Sequence, residues 1–157
     1  MPESNSSATS TATGTATTTP REVIEELLRR TAAGPSEEMA ELFAEDAVFE
    51  QPYRLPGAPE QPPGRAAFRE HLRQGATVQR FEAVTDVRVY EAADGESVVA
   101  EHRLHGRVPA TGREFALDLL LIARVRGGLI TRLRSYANPL AVAEAFGLPL
   151  APGADQG

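Results

Sequence analysis

The strongest constraint on this chain is a change of apolar period along its length. Up to about Gln74 the apolar residues recur at helical spacing, whereas from Phe81 to Ala137 they recur at every second position. Helices first and a run of strands afterwards predict an α+β domain whose helices cover one face of a long curved sheet. At 157 residues the chain is long enough for one domain with a buried core.

The helical half divides into three segments. Thr19-Pro20-Arg21-Glu22 is a helix start: Thr19 can cap, Pro20 suits the first turn, and Glu22 stands three residues on, as in a capping box. Val23, Ile24, Leu27, Leu28 and Thr31 then share one face, and Gly34-Pro35 ends the helix. Ser36 is expected to cap a second, short helix with Met39, Leu42 and Phe43 inward. A short strand is predicted over Ala47–Tyr53. The loop Leu55–Gly64, with four prolines, leads to a third helix from Arg65 to about Gln74.

In the strand half, Phe81, Ala83, Thr85, Val87 and Val89 form one face of the first strand. Val98, Ala100, His102 and Leu104 follow on the second, then Phe115, Leu117, Leu119, Leu121, Ala123 and Val125 on the third. Leu129, Thr131, Leu133, Ser135 and Ala137 make the inner face of the last. Turn signals at Asp94-Gly95, Pro109–Gly112 and Gly127-Gly128 join the four strands into an antiparallel meander. A last short helix, Leu140–Phe146, follows Asn138-Pro139.

Composition removes whole classes of chemistry. There is no Cys, and all sixteen basic residues are Arg, so cysteine nucleophiles, disulfides, thiolate metal sites and lysine Schiff bases are excluded. A net charge of −6 argues against nucleic-acid and anionic-membrane partners. Neither a Gly-x-Ser-x-Gly elbow nor a Gly-rich phosphate loop occurs. Residues 1–19, almost entirely Ser, Thr and Ala, lack the basic and apolar regions of a secretory signal and read as a disordered tail. Residues 149–157 read as equally loose, which leaves residues 20–148 as the folded domain. No apolar run approaches the roughly 18 residues of a membrane span, so a cytoplasmic protein is expected. The excess of Ala, Arg, Gly and Pro without Lys suggests a high-GC bacterial genome.

The element order and three local stretches carry a family resemblance. Leu42-Phe43-Ala44-Glu45-Asp46-Ala47-Val48-Phe49-Glu50-Gln51-Pro52, Gly64-Arg65-Ala66-Ala67-Phe68-Arg69-Glu70-His71 and Gly128–Tyr136 resemble stretches of the nuclear transport factor 2 and ketosteroid isomerase superfamily. That resemblance implies a cone of three N-terminal helices on a curved, mainly antiparallel sheet, closed by a short C-terminal helix. Within the superfamily the chain is similar to SnoaL-like polyketide cyclases and, in motifs, to the phenazine-biosynthesis A/B proteins. Arg69-Glu70-His71 and Arg134-Ser135-Tyr136-Ala137-Asn138 carry the latter likeness, which implies an acid/base role for His71. Ser135 stands where those proteins place a catalytic Glu. Gln51, Leu27 and Leu121 stand where ketosteroid isomerases have their general base and oxyanion donors, and neither Gln nor Leu does that work.

Parity selects the candidate site residues. His71 shares a helical face with Phe68 and Leu72, and His102 lies among Val98, Ala100 and Leu104. Each is either a core imidazole bonded to backbone or an acid/base group in the pocket; as catalytic candidates they form a pair for proton transfer. Phe49, Gln51 and Tyr53 share one strand face, and with Phe68, Leu119, Leu121, Leu133 and Ser135 they make up the expected substrate-binding set. Thr131 is placed beside Ser135 as a further orienting group. His105 and Asp118 fall on the opposite face, so His102 and His105 cannot hold one metal ion together; no metal and no cofactor is expected. Glu101, Arg103, Asp118, Leu120, Ile122, Arg132 and Arg134 form an outer sheet face that implies a homodimer. The expected function is a cofactor-independent isomerase or cyclase of secondary metabolism acting on a small, largely apolar intermediate. The alternative is a non-catalytic module binding a small molecule in the same pocket.

Overall fold

The computed structural model describes residues 18–34 and 36–149, so the expectations for the two tails fall almost wholly outside the described residues. Helix α1 (Pro20–Ala32) starts as its sequence predicts. Thr19 Oγ1 accepts a hydrogen bond from the Glu22 N–H at 3.2 Å, and Val23, Ile24, Leu27 and Leu28 are buried on one face. The next segment, Glu37–Leu42, is a 3₁₀ helix, and Ser36 makes no side-chain cap bond. A segment this short gains little from α-helical closure, and its Met39 and Ala40 are held by burial.

Strand β1 (Phe43–Glu50) begins and ends earlier than the expected Ala47–Tyr53. It pairs parallel with the last strand, with Phe43 opposite Ile130 and Glu50 opposite Arg134. Pro52, which has no N–H, stands just beyond and cannot extend the ladder. Helix α2 (Arg65–Val78) runs past Gly75, where the sequence suggested an end near Gln74. Burial of Phe68 and Leu72 outweighs the roughly 1 kcal/mol that a helical glycine costs.

Strands β2 (Arg80–Glu91), β3 (Ser97–Val108), β4 (Arg113–Arg126) and β5 (Leu129–Ala137) form the predicted meander. With β1 they make a five-stranded mixed sheet of order β1-β5-β4-β3-β2. The first turn is fastened by Asp94, whose carboxylate accepts from the N–H groups of Glu96 and Ser97 and from the Ser97 hydroxyl. Those bonds pull the Asp94 pKa down to about 2. Helix α3 (Pro139–Phe146) is capped by Asn138 Oδ1 and ends at Gly147 in the left-handed conformation, φ 65°.

Three strands depart from simple alternation, the first being β1, whose register against β5 shifts between Phe43 and Val48. In β2 the register shifts between Phe81 and Ala83 and again between Thr85 and Arg88. Val84 therefore packs on the core, while Thr85 and Val87 are exposed. In β5 the shift at Thr131 turns Ile130 fully inward, and the Thr131 hydroxyl donates to the Arg124 carbonyl at 3.2 Å. Elsewhere the alternation holds: Val98, Ala100, His102 and Leu104 on β3 are all buried.

Helix α1 lies across β2, β3 and β4, and α2 packs on β1 and the 3₁₀ turn. The main core joins α1, Phe43, Phe68 and the inner faces of β3 to β5. Its fully buried members, such as Ile24, Phe43 and Ile130, each contribute about 1.5–3 kcal/mol from burial, an upper bound. A smaller cluster forms where α3 meets β4, around Phe115, Leu117 and Ala145. No helix among the described residues is long and apolar enough to cross a membrane.

Candidate active-site cavity

A cavity of about 230 Å³ lies between the helices and the inner sheet face. Helix α2 gives it Phe68, His71 and Gly75, and β1 gives Phe49, with Gln51 just past the strand end. From the sheet come His102 on β3, Leu119 and Leu121 on β4, and Leu133 and Ser135 on β5. Every predicted site residue except Tyr53 and Thr131 therefore meets in one space. β1 stops at Glu50, so Tyr53 does not share the Phe49 face. It is 65% exposed, and its ring packs edge-on against Tyr136 at 5.6 Å, away from the cavity. Thr131, spent on its bulge, is also absent from the wall.

The two imidazoles stand differently. His71 lines the cavity but remains exposed, which places it at the rim. Its ring stacks near Phe68 at 6.3 Å and 22°, and lies 5.7 Å from Phe49. Burial of that ring face lowers the His71 pKa below the ordinary imidazole value. His102 is only 6% exposed, and its Nδ1 is buried without a hydrogen-bond partner. Burial lowers its pKa too, and the Ala100 backbone opposes that shift in part. Both groups are thereby biased toward the neutral form at neutral pH, able to accept a proton and to donate the one they carry.

The remaining polar groups are neutral. Gln51, Ser135 and Thr31 reach the wall, the last with its hydroxyl donated to the Leu27 carbonyl. Gln79 is a cavity residue that pattern reading missed. It follows α2 at spacings of four and eight from Gly75 and His71, a signal that becomes visible once the helix is carried through Gly75. Val142 and Phe146 of α3 close one end. Among the described residues no Asp, Glu or Arg lines the cavity. No group of three or more His, Asp or Glu is arranged to hold a metal ion among them either.

The opposite sheet face has a different chemistry. His105 Nε2 is 2.8 Å from the Thr85 hydroxyl, and Asp118 accepts from Arg103 at 2.9 Å. A wider depression of about 710 Å³ runs over this face, between Tyr53, Arg103, Asp118 and Tyr136. Arg103 and Asp118 pair on it, and such a solvent-facing pair contributes at most about 1 kcal/mol. His102, whose Nδ1 is the buried unpartnered side-chain atom among the described residues, lines the inner cavity and also borders this depression.

Comparison with known proteins places this geometry. The SnoaL-like domain model matches residues 24–133. The chain is 37% identical over 107 residues to the Bacillus subtilis protein YesE, covering 68% of this chain and 73% of that protein. It is 33% identical over 130 residues to a PhzA/B-like protein of Pseudomonas aeruginosa, covering 81% and 89%. A crystal structure from Bacillus subtilis, provisionally named an isomerase, superposes with a TM-score of 0.76 at 31% identity, covering 84% of this chain and 96% of that one. Family match, relatives and fold agree: the chain belongs to the SnoaL-like family and carries the α+β fold of nuclear transport factor 2-like proteins.

Proposed function

We propose that this protein is a cofactor-independent isomerase or cyclase working by acid/base catalysis on a small, largely apolar intermediate. The observation that carries this reading is the meeting of two imidazoles in one otherwise uncharged, apolar cavity. His71, at the rim, is the general acid/base, since solvent can reprotonate it between turnovers. His102 is the second acid/base or orienting group. Phe49, Phe68, Leu119, Leu121 and Leu133 enclose the substrate, while Gln51 and Ser135 fix its polar atoms.

The test begins with mass spectrometry of the native protein, to identify a molecule retained in the cavity. That molecule and its isomers then serve as substrates. Replacing His71 by Gln should cut turnover about 10²–10⁴-fold while affinity stays within a few-fold. Unchanged turnover refutes the assignment. A second reading, a binding module without turnover, is favoured by one specific observation. The positions where resembling enzymes place carboxylates hold Gln51, Leu121 and Ser135 here, and no carboxylate lines the wall. Under that reading the retained molecule is recovered unchanged. The half-buried Leu120, Ile122 and Tyr136 on the outer face further support pairing of two copies through that face.

A further inference from the structure

We propose that the outer sheet face holds a second ligand site, separate from the inner cavity, in which Arg124, Arg132 and Arg134 bind the phosphate group of a small molecule. The site does not depend on the reading of the cavity and stands or falls without it.

Strand register brings the three guanidinium groups together. Arg132 and Arg134 stand two apart on β5 and so share a face, and Arg124 of β4 is the register partner of Arg132. Like charges placed directly opposite each other destabilise a sheet, and a bound anion relieves that cost. The three arginines border a recess of about 250 Å³, completed by Asp94 and Ser97 of the first hairpin and by Ile122 of β4.

Donors in this recess exceed acceptors. Arg124 spends its Nε on Glu96 at 3.0 Å, and Arg132 spends Nε and Nη2 on Glu50 at 3.3 and 2.6 Å. Both Nη groups of Arg124 and the Nη1 group of Arg132 have no protein acceptor among the described residues. Arg134, half-buried, makes no hydrogen bond or ion pair among them, because Glu50, its register partner on β1, bonds Arg132 instead. Asp94 lines the recess too, but its oxygens already accept from the N–H groups of Glu96 and Ser97 and from the Ser97 hydroxyl. With Arg126, which also pairs with Glu96, four guanidinium groups meet the three carboxylates of Glu50, Asp94 and Glu96. One positive charge is left over, at Arg134. It is felt at Glu50, whose carboxyl is held below its ordinary range by the Arg132 hydrogen bond and then, against burial, by the charges of Arg132 and Arg134.

This donor set selects the ligand. Guanidinium forks without acceptors call for a negatively charged, acceptor-rich group, and a tetrahedral phosphate can offer each of three arginines its own oxygen where a carboxylate has two. Glu96 and Glu50 already hold Arg124 and Arg132 in place, which lowers the ordering cost of binding. The net charge of −6 repels an extended polyanion such as nucleic acid or an anionic membrane, so the phosphate is that of a small molecule, free or as a monoester.

The test is an NMR titration of the full chain at pH 7.5 and low salt with inorganic phosphate, glycerol 3-phosphate and acetate. Both phosphates should give saturable shifts at the Nε–H signals of Arg124, Arg132 and Arg134 and at the Ile122 amide, with acetate at least about ten-fold weaker. Equal binding of the two assigns the site to free phosphate, and tighter binding of the ester assigns it to a phosphorylated small molecule; either supports the shared chemistry. Arg134→Gln should weaken phosphate binding at least about ten-fold, and Arg134→Lys, which keeps the charge without the fork, should retain part of it. Arg103→Gln, which removes the partner of Asp118 on the same face, should leave binding unchanged. Circular dichroism confirms that each variant is folded. No saturable shift, acetate binding as tightly as phosphate, or unchanged binding in Arg134→Gln would overturn the proposal. So would a recess filled by a carboxylate of a second copy, seen as no phosphate binding together with a dimer that Arg134→Gln weakens in sedimentation. None of these readouts involves turnover or the inner cavity, so the catalytic reading at His71 is decided separately.

Discussion

Gly106 is the position where adding a single methyl group should do most harm. It is buried in β3 between its register partners Phe81 and Phe115. A Cβ built there would stand 2.4 Å from the Arg80 carbonyl oxygen and 2.5 Å from Cζ of Phe115. The oxygen is backbone, in a strand already bent by a bulge, so it cannot swing aside as a side chain would. Phe115 is held against Phe146 of α3 at 5.1 Å, edge to face, so moving its ring also disturbs the cluster that closes one end of the cavity. Overpacking costs typically 1–3 kcal/mol, and a double overlap that includes backbone belongs at the top of that range, about 3 kcal/mol for Gly106→Ala. At roughly 2–4 °C per kcal/mol for a domain of this size, Tm should fall by about 6–12 °C. Gly75→Ala is the matched control. There the new Cβ would meet only Nε2 of Gln79, at 3.8 Å, and a helix-interior alanine should add about 0.5–1 kcal/mol. Because the chain has no Trp, far-UV circular dichroism during urea unfolding is the suitable assay. Two variants shifted in the same direction, or Gly106→Ala within about 0.5 kcal/mol of the parent, would refute the steric reasoning.

Other consequences can be measured alongside. His102 has its pKa lowered in the fold, so its contribution is complete above the unfolded value of about 6.5 and declines as pH falls below it. The limiting slope is about 1.4 kcal/mol per pH unit, and it levels off below the folded pKa; urea titrations between pH 8 and 5 should show a shallower slope in His102→Gln. An identical slope would remove burial of a neutral imidazole as its cause. Thr19→Ala deletes the α1 cap and should cost about 1 kcal/mol without changing affinity for a cavity ligand, since Thr19 does not line that space. Sedimentation equilibrium should find a dimer at micromolar concentration that Leu120→Asp on the outer face weakens; a monomer for the parent chain would count against pairing there.

Much of the architecture was legible because the apolar pattern answers to local geometry. The helical spacing of Val23, Ile24, Leu27 and Leu28, the two-residue period from Val98 to Leu104, and the Asp94-Gly95 turn each correspond to an observed element. The parity that put His102 and Ser135 inside and Asp118 outside also matches the structure. Failures occurred where a long-range partner decided the outcome. The ends of β1 depend on β5, which lies some eighty positions later, so the period-two pattern points Tyr53 to a strand face that does not extend to it. The parity of β2 and the fate of Thr131 depend on bulges that a neighbouring strand imposes.

The sequence by itself determined the chemical vocabulary: with no Lys and no Cys, three histidines were the groups left to titrate near neutral pH. It also determined which side of each regular element those groups take, because a period is a property of consecutive residues. Only the tertiary structure decided their environments. It set His71 at a solvent-facing rim, sealed Nδ1 of His102, and left the wall between them without charge. Desolvation depends on what the rest of the chain packs around a group, and that information is not local.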